Sequence, residues 1–210
     1  MKVRIHFIRH GRTAGNREHR YVGRTDEPLC AEGAKELEEM TVPEAALLFV
    51  SPMRRCMETA RILYPDLEAV AVPEFRECDF GTFEGKNWRE LSGDMDYQRW
   101  VDSGGTLPFP GGESREGFCL RCRTGFLRVM ENIRAAGCRE AAVVAHGGTI
   151  MAVMDAWSEP HRDYYDWQVD NGGRLTVWTE TEEWRGGTDA AIRCVHIPDG
   201  QGAMPRQIRR

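Results

Sequence analysis

The sequence lacks two features that would give it a general affinity for membranes or polyanions. It has no apolar run approaching the roughly 20 residues that a membrane-spanning helix needs. It also lacks an excess of positive charge, since 28 basic side chains against 33 acidic ones leave a net charge of −5 at pH 7. We therefore predict no membrane and no nucleic-acid partner. Any anion that the chain binds must be held by a local cluster of basic side chains.

A metal-binding or disulfide pattern is also missing among the seven cysteines. Cys119 and Cys122 form a C-x-x-C inside a helical pattern, but no second pair of cysteines or histidines follows at zinc spacing. We interpret these thiols as half-buried helix residues and predict no metal and no cofactor. The opening residues "MKVRIHFIRH" have the pattern of a strand rather than of a signal peptide. Reduced thiols and a cytoplasmic location are therefore expected.

The chain alternates short apolar runs with helical patterns, which is typical of a three-layer α/β/α sandwich with a mainly parallel central sheet. We predict a single domain over 1–210, with a lid insertion at about 75–112 where aromatic, glycine and proline residues interrupt the pattern. Ser51 is predicted as the N-cap of a helix with Pro52 at its first position. Predicted strands cover 3–8, 45–51, 67–72, 139–145, 173–184 and 190–198, with the glycine pair 186–187 joining the last two.

Basic and imidazole side chains follow three of these strands. Arg9 and His10 end the first, Arg55 comes shortly after the second, and His146 ends the fourth. Ligands of parallel sheets bind beyond the carboxyl ends of the strands, so the four converge if their strands are neighbours. Two guanidiniums match phosphate oxygens, an imidazole can act as nucleophile or base, and the N–H of Gly147 adds a donor at a helix start. The cluster predicts a site for a small, highly charged anion, and phosphate fits best.

A proton donor for such a site should be a carboxyl group near the same strand ends. Glu77 follows the third predicted strand, and Asp79 and Glu84 lie close to it in the sequence. A partly desolvated pocket would raise the pKa of whichever carboxyl group donates the proton. The chemistry of the three side chains does not choose among them.

Five motifs in order then identify a resemblance that covers nearly the whole chain. They are "RHGRTAGN", "SPMRRCMETA", "FRECDFGTFEG", "PGGES" and "VVAHGGTI". Together they resemble the histidine phosphatase superfamily, whose members share the phosphoglycerate-mutase-like fold. The resemblance implies that His10 is a nucleophile that becomes phosphohistidine and that Glu77 is the proton donor. It further implies phosphoryl-binding roles for Arg9, Asn16, Arg55 and His146, with no metal required.

The chain departs from the family pattern at Met53, Cys56 and Glu58, where leucine, alanine and glutamine are usual. These changes leave Arg55 in place. The stretch from Glu77 to His146 is shorter than the resemblance implies for a mutase. Its basic residues before the long helix are few, namely Lys86, Arg89 and Arg99.

The expected activity is therefore that of a metal-independent phosphomonoesterase acting on a small phosphorylated metabolite. The phosphatase branch that the chain resembles includes α-ribazole phosphatases, which makes α-ribazole 5′-phosphate the candidate substrate. A cofactor-dependent phosphoglycerate mutase and a non-catalytic phosphate-binding module are the alternatives. The sequence sets no expectation for oligomeric state.

Aromatic residues are concentrated in the predicted lid, and they allow two interpretations. They are Phe83, Trp88, Tyr97, Trp100 and Phe109. They could line the cleft for a leaving group that contains a ring, or they could form a small core of the insertion itself. The second interpretation is favoured, since buried rings are the commoner use of such residues.

Overall fold

The computed structural model describes residues 1–184 and 191–196. Within that part, one mixed sheet has the strand order β3-β2-β4-β1-β6-β7-β5. The strands are β1 Lys2–Arg9, β2 Leu47–Val50, β3 Ala69–Ala71, β4 Glu140–Ala145, β5 Ser158–Glu159, β6 Arg174–Glu180 and β7 Ile192–His196. The four strands from β3 to β1 are mutually parallel, whereas β6 runs antiparallel to β1 and β7. The predicted mainly parallel α/β sheet is confirmed.

Side-chain alternation along the central strands divides the core into two layers. Phe7 and Val143 face one side, where they pack with Phe126, while Ile8 and Val144 face the other. Both sets are buried because helices cover both faces of the sheet, as a parallel sheet requires. The helices are α1 Ala14–Arg17, α2 Ala31–Glu38, α3 Arg54–Leu63, α4 Met95–Asp102, α5 Arg115–Ala136 and α6 Gly147–Trp157. Helices α5 and α6 supply residues to the first layer, and α2 and α3 to the second.

The start of α3 differs from the prediction. The helix begins at Arg54, with Met53 as an N-cap that makes no side-chain capping bond, so Ser51 is not the N-cap and Pro52 is not helical. The Ser51 hydroxyl instead hydrogen-bonds the His146 imidazole across the sheet at 2.8 Å. A buried polar partner thus overrides the local capping signal. The long helix α5 begins at Arg115, and the Ser114 hydroxyl accepts the N–H of Gly117 at its start.

The segment between β3 and α5 contains α4 and two short 3₁₀ turns, Pro73–Phe75 and Gly81–Phe83. Phe83, Leu91 and Trp100 are buried together there as a small separate cluster. At the other end of the sheet, β6 stops at Glu180, earlier than predicted, and a 3₁₀ turn covers Thr181–Trp184. The predicted glycine connection at 186–187 lies outside the described residues.

Candidate active site

Three adjacent strands bring the predicted residues to one edge of the sheet. In the register of the sheet, Arg9 on β1 pairs with Ala145 on β4, and Val50 on β2 pairs with Val144. The residues that follow these strands therefore lie side by side. The His10 and His146 rings approach edge to face, with their centroids 5.2 Å apart.

His10 is held in a defined tautomer. Its Nδ1 lies 2.8 Å from the backbone carbonyl oxygen of Gly11. A carbonyl oxygen only accepts hydrogen bonds, so Nδ1 carries the proton and Nε2 keeps its lone pair. Burial, together with the positive charges of Arg55 and Arg9, holds the pKa of His10 well below its usual value. His10 is therefore a neutral imidazole with Nε2 available as a nucleophile.

The loop after His10 is fixed by close backbone packing. The N–H of Gly11 donates to the Thr59 hydroxyl at 3.0 Å. Helix α2 approaches the same loop at Gly33, where a Cβ atom would lie 2.4 Å from the carbonyl oxygen of Arg12. Only glycine permits that approach. The packing holds the backbone at His10 rigid.

Two arginines flank the imidazoles, and each is anchored to backbone carbonyls. Arg55 is fully buried and donates to the carbonyl oxygens of residues 22, 23 and 25, at 3.3, 3.1 and 2.9 Å. Arg9 donates to the Val169 carbonyl at 2.8 Å. In both residues the Nε–H is buried without a hydrogen-bond partner in the described structure. A buried donor without a partner costs free energy, and an anion bound between the two arginines could accept from both.

His146 stands at the start of α6, where it follows β4 directly. Its Nε2 is bound to the Ser51 hydroxyl, and its Nδ1 lies 3.8 Å from a carboxylate oxygen of Glu77. Burial is the main cause that holds the pKa of His146 well below its usual value, with Arg55 adding to it. His146 is thus a second neutral imidazole, oriented by Ser51 and close to the carboxyl group.

Glu77 is the carboxyl group that reaches this cluster. Its side chain is only 12% exposed, and burial raises its pKa. Asp79 and Glu84 have other contacts. Asp79 pairs with Arg24 at 3.2 Å, and Glu84 accepts two loop N–H groups at 2.9 Å each. The structure therefore leaves Glu77 as the carboxyl group beside the imidazoles.

Asn16 joins the site through a residue that the sequence interpretation missed. Its Oδ1 accepts from the N–H of Thr13 at 3.2 Å and from Nδ2 of Asn171 at 3.1 Å. Asn171 also donates to the carbonyl oxygen of His10 at 3.2 Å. The "DNGG" stretch before β6 marks a tight connection, but no local pattern links Asn171 to a residue 161 positions earlier. Asn171 fixes both the backbone of His10 and the side chain of Asn16.

The site lies at the floor of a cleft of about 1250 Å³. Arg9, Asn16, Glu77 and Gly147 line the floor, whereas His10 and His146 are almost fully buried. Several aromatic side chains form a wall of the cleft, namely Phe80, Trp88, Tyr97, Trp100, Phe109 and Tyr165. The predicted lid aromatics thus divide. Phe83 lies only in the buried cluster, and Trp88 only lines the cleft. Trp100, Tyr97 and Phe109 do both, because they belong to or pack against the cluster and also line the cleft.

In the ranges 1–184 and 191–196, no three histidine, cysteine or acidic side chains come together as a metal ion would require. No helix in the same ranges is long and apolar enough to cross a membrane.

The sequence and the fold of the chain both match known phosphatases and mutases. Residues 5–187 match the model of the histidine phosphatase superfamily (branch 1). The chain is 27% identical to a Bacillus subtilis protein named uncharacterized phosphatase PhoE, over 85% of this chain and 90% of that one. It is 30% identical to 2,3-bisphosphoglycerate-dependent phosphoglycerate mutase 2 of Gloeobacter violaceus, over 70% and 72%. The fold matches the α-ribazole phosphatase of Shigella flexneri with a TM-score of 0.72 at 22% identity, over 91% and 95%.

Proposed function

Because this chain belongs to branch 1 of the histidine phosphatase superfamily, we propose that it is a phosphomonoesterase acting through a phosphohistidine on His10. The hydrogen bond from His10 Nδ1 to the Gly11 carbonyl carries the proposal, since it leaves Nε2 free to attack phosphorus. We propose a small phosphorylated metabolite as its substrate.

In the first step, Nε2 of His10 attacks the phosphorus atom and the ester P–O bond breaks. Burial raises the pKa of Glu77, which favours the protonated carboxyl group that gives its proton to the departing oxygen. The products of this step are a free alcohol, a phosphoryl group on Nε2 and a Glu77 carboxylate.

In the second step, a water molecule attacks the phosphohistidine. Glu77, now a carboxylate, takes a proton from that water as the P–O bond forms and the N–P bond breaks. Inorganic phosphate leaves, and His10 and Glu77 return to their starting protonation states. The net reaction consumes one ester and one water, and it releases one alcohol and one phosphate.

The charge that spreads over the phosphoryl oxygens needs fixed donors in both steps. The free Nε–H groups of Arg9 and Arg55, the imidazole of His146 and the N–H groups at the start of α6 surround the position where those oxygens would lie. Asn16 would hold one of the oxygens from the side of Asn171. These groups are already in place, so little reorganisation accompanies the reaction.

We propose hydrolysis rather than transfer of the phosphoryl group back to the substrate. The reason is that the segment between β3 and α5 contributes no basic side chain to the cleft. Among the cleft-lining residues described, Lys86, Arg89 and Arg99 are absent. In a mutase, the family resemblance implies extra basic residues of this segment that hold a second acidic group of the substrate. The aromatic wall would accommodate a ring-containing alcohol such as that of α-ribazole 5′-phosphate, which therefore stays a candidate substrate.

The test is hydrolysis of p-nitrophenyl phosphate in EDTA by the wild type, His10→Ala and His161→Ala. His161 is exposed and outside the cleft lining, so it serves as the matched control. We expect turnover in EDTA that is lost in His10→Ala and kept in His161→Ala. Tight phosphate binding without turnover would instead identify a binding module. Conversion of 3-phosphoglycerate primed by 2,3-bisphosphoglycerate, faster than its hydrolysis, would identify a mutase.

A further inference from the structure

Basic side chains line the cleft beyond the phosphoryl site, and most of them are already matched by carboxylates. The pairs are Arg12–Glu36, Arg17–Glu32 at 3.0 Å and Arg20–Glu90 at 2.7 Å. Arg9 belongs to the phosphoryl site. Over the described residues, Arg115 has no carboxylate oxygen within 4.0 Å of its guanidinium, although it lines the same cleft. Arg115 is thus a cation of the cleft whose charge the protein does not neutralise by a direct ion pair.

Arg115 is held in a fixed position by aromatic stacking. It is the first residue of α5, it is half-buried, and its guanidinium lies 4.2 Å from the centroid of the Tyr164 ring and 5.2 Å from that of Tyr165. Such contacts orient a guanidinium without using up its N–H donors. The nearby Cys119 thiol stays protonated because burial raises its pKa. One N–H of Arg115 approaches the Cys119 thiol, and the other donors of its guanidinium are free for a ligand.

The stacked arginine lies on the side of the site from which the leaving group departs. The Tyr164 hydroxyl is 3.5 Å from the carbonyl oxygen of Gly148, and a Cβ atom on Gly148 would lie 2.9 Å from Oε1 of Glu77. One aromatic ring thus separates Arg115 from the region of Glu77. Because Glu77 protonates the departing oxygen, the rest of the alcohol extends on this side of the phosphoryl group.

We propose that Arg115 is a specificity-determining residue that binds a carboxylate on the leaving group of the substrate. A single guanidinium matches one carboxylate by two parallel hydrogen bonds, whereas a second phosphate would call for several cations, as the phosphoryl site itself has. We therefore expect a hydroxy-acid phosphate whose carboxylate extends past the Tyr164 ring to Arg115. This inference rests on the proposed phosphomonoesterase activity and narrows its substrate class. On this account α-ribazole 5′-phosphate, whose alcohol has no carboxylate, is a poorer substrate.

The test compares two substrates that differ by one group, 3-phosphoglycerate and glycerol 3-phosphate. We measure kcat/KM for both with the wild type, Arg115→Met and Arg115→Lys, and with Arg12→Met as the matched control from the same cleft. The wild type should prefer the carboxylate by about 10- to 100-fold, the range for a hydrogen-bonded charge pair. Arg115→Met should abolish that preference, Arg115→Lys should keep part of it, and Arg12→Met should retain it. Equal loss on both substrates in Arg115→Met, or no preference in the wild type, would overturn the proposal.

The outcome is separable from a failure of the proposed activity. If the wild type hydrolyses no ester at all, calorimetric binding of the two compounds to the same proteins gives the corresponding ratio of dissociation constants. A preference for 3-phosphoglycerate that is lost in Arg115→Met would then support the carboxylate site without catalysis. If Arg115→Met does not fold, as judged by its thermal transition, Arg115→Gln replaces it and the same ratio decides.

Discussion

The Ser51 hydroxyl and the His146 imidazole share a hydrogen bond of 2.8 Å in which both side chains are fully buried. The bond fixes the His146 ring, so that Nδ1 faces Glu77 at 3.8 Å. Ser51 belongs to the chain just after β2, and His146 follows β4. Since the two strands are neighbours, the rigid sheet sets the geometry of the bond.

Ser51→Ala should leave Nε2 of His146 without a partner and free the ring to rotate. We expect kcat to fall by about 10- to 100-fold, because misplacement of a catalytic group by about 1 Å has that effect. The free energy of unfolding should fall by about 1–3 kcal/mol, since a buried polar atom loses its partner. Steady-state kinetics and denaturant unfolding measure the two changes.

Cys56→Ala is the control for that experiment. The Cys56 thiol also touches His146, but its sulfur lies 3.6 Å from Nε2 and makes only a weak contact. The Cys56→Ala substitution should change kcat by less than about threefold, because it removes only a weak thiol contact. A larger effect of Cys56→Ala than of Ser51→Ala would contradict the positioning role of Ser51.

Glu77→Gln should lower kcat/KM more for an ester whose leaving group must be protonated than for one whose leaving group departs as an anion. For an alkyl phosphate, loss of the general acid should lower kcat/KM by about 100- to 10,000-fold. For p-nitrophenyl phosphate the reduction should be much smaller, because nitrophenolate leaves without a proton. The two kcat/KM values check this, since each reports the steps up to the first P–O cleavage. Equal reductions for both esters would exclude Glu77 as the proton donor.

Arg55→Lys should damage stability as well as activity. A lysine keeps the charge but cannot reach three carbonyl oxygens of the 22–25 loop and an anion at the same time. We expect a loss of about 1–3 kcal/mol in the free energy of unfolding, from buried carbonyl groups left without donors. Arg54→Lys is the neighbouring control, because Arg54 is exposed and pairs with Glu58 on the surface. Similar unfolding free energies for the two variants would contradict the anchoring role.

Because two imidazoles are buried in their neutral form, we expect the free energy of unfolding to decrease as the pH falls. His10 and His146 have folded-state pKa values well below 6.5, so the unfolded chain binds protons that the folded chain does not. On lowering the pH from 7 to 5, each histidine should reduce the free energy of unfolding by up to about 2 kcal/mol. Glu77 acts in the opposite direction, because its raised pKa makes the folded chain take up a proton.

Comparison of the wild type with His146→Gln isolates one of these histidines. Urea unfolding at pH 7 and pH 5 should show a loss that is smaller in the variant by up to about 2 kcal/mol. The same pH dependence in both proteins would show that His146 is not held neutral by the fold.

Much of the site could be predicted because it lies at strand ends. Apolar alternation located β1 and β4, and Arg9, His10 and His146 follow those strands directly in the sequence. Parallel pairing then made their convergence a consequence of the fold. Side-chain chemistry alone did not separate Glu77 from Asp79 and Glu84, so the choice of Glu77 rested on the family resemblance. In the structure, a carboxylate oxygen of Glu77 lies 3.8 Å from His146, whereas Asp79 and Glu84 are held by loop contacts.

The residues that were misjudged or missed share contacts over long sequence distances. Ser51 followed by Pro52 has the local pattern of a helix start, yet its hydroxyl serves a histidine 95 residues away. Asn171 binds the carbonyl of His10 across 161 residues, and no local pattern reports such a bond. Short-range signals therefore located the strands, while the packing of the sheet decided how individual polar side chains are used.

The most direct test of the account is to trap the phosphorylated enzyme. The protein is mixed with p-nitrophenyl phosphate, quenched within the first turnovers in alkaline denaturant, and analysed by intact mass and peptide mapping. The account predicts one added phosphoryl group, on His10, that is lost in acid and absent from His10→Ala. Turnover with no trapped phosphoryl group, or a phosphoryl group on another residue, would contradict it.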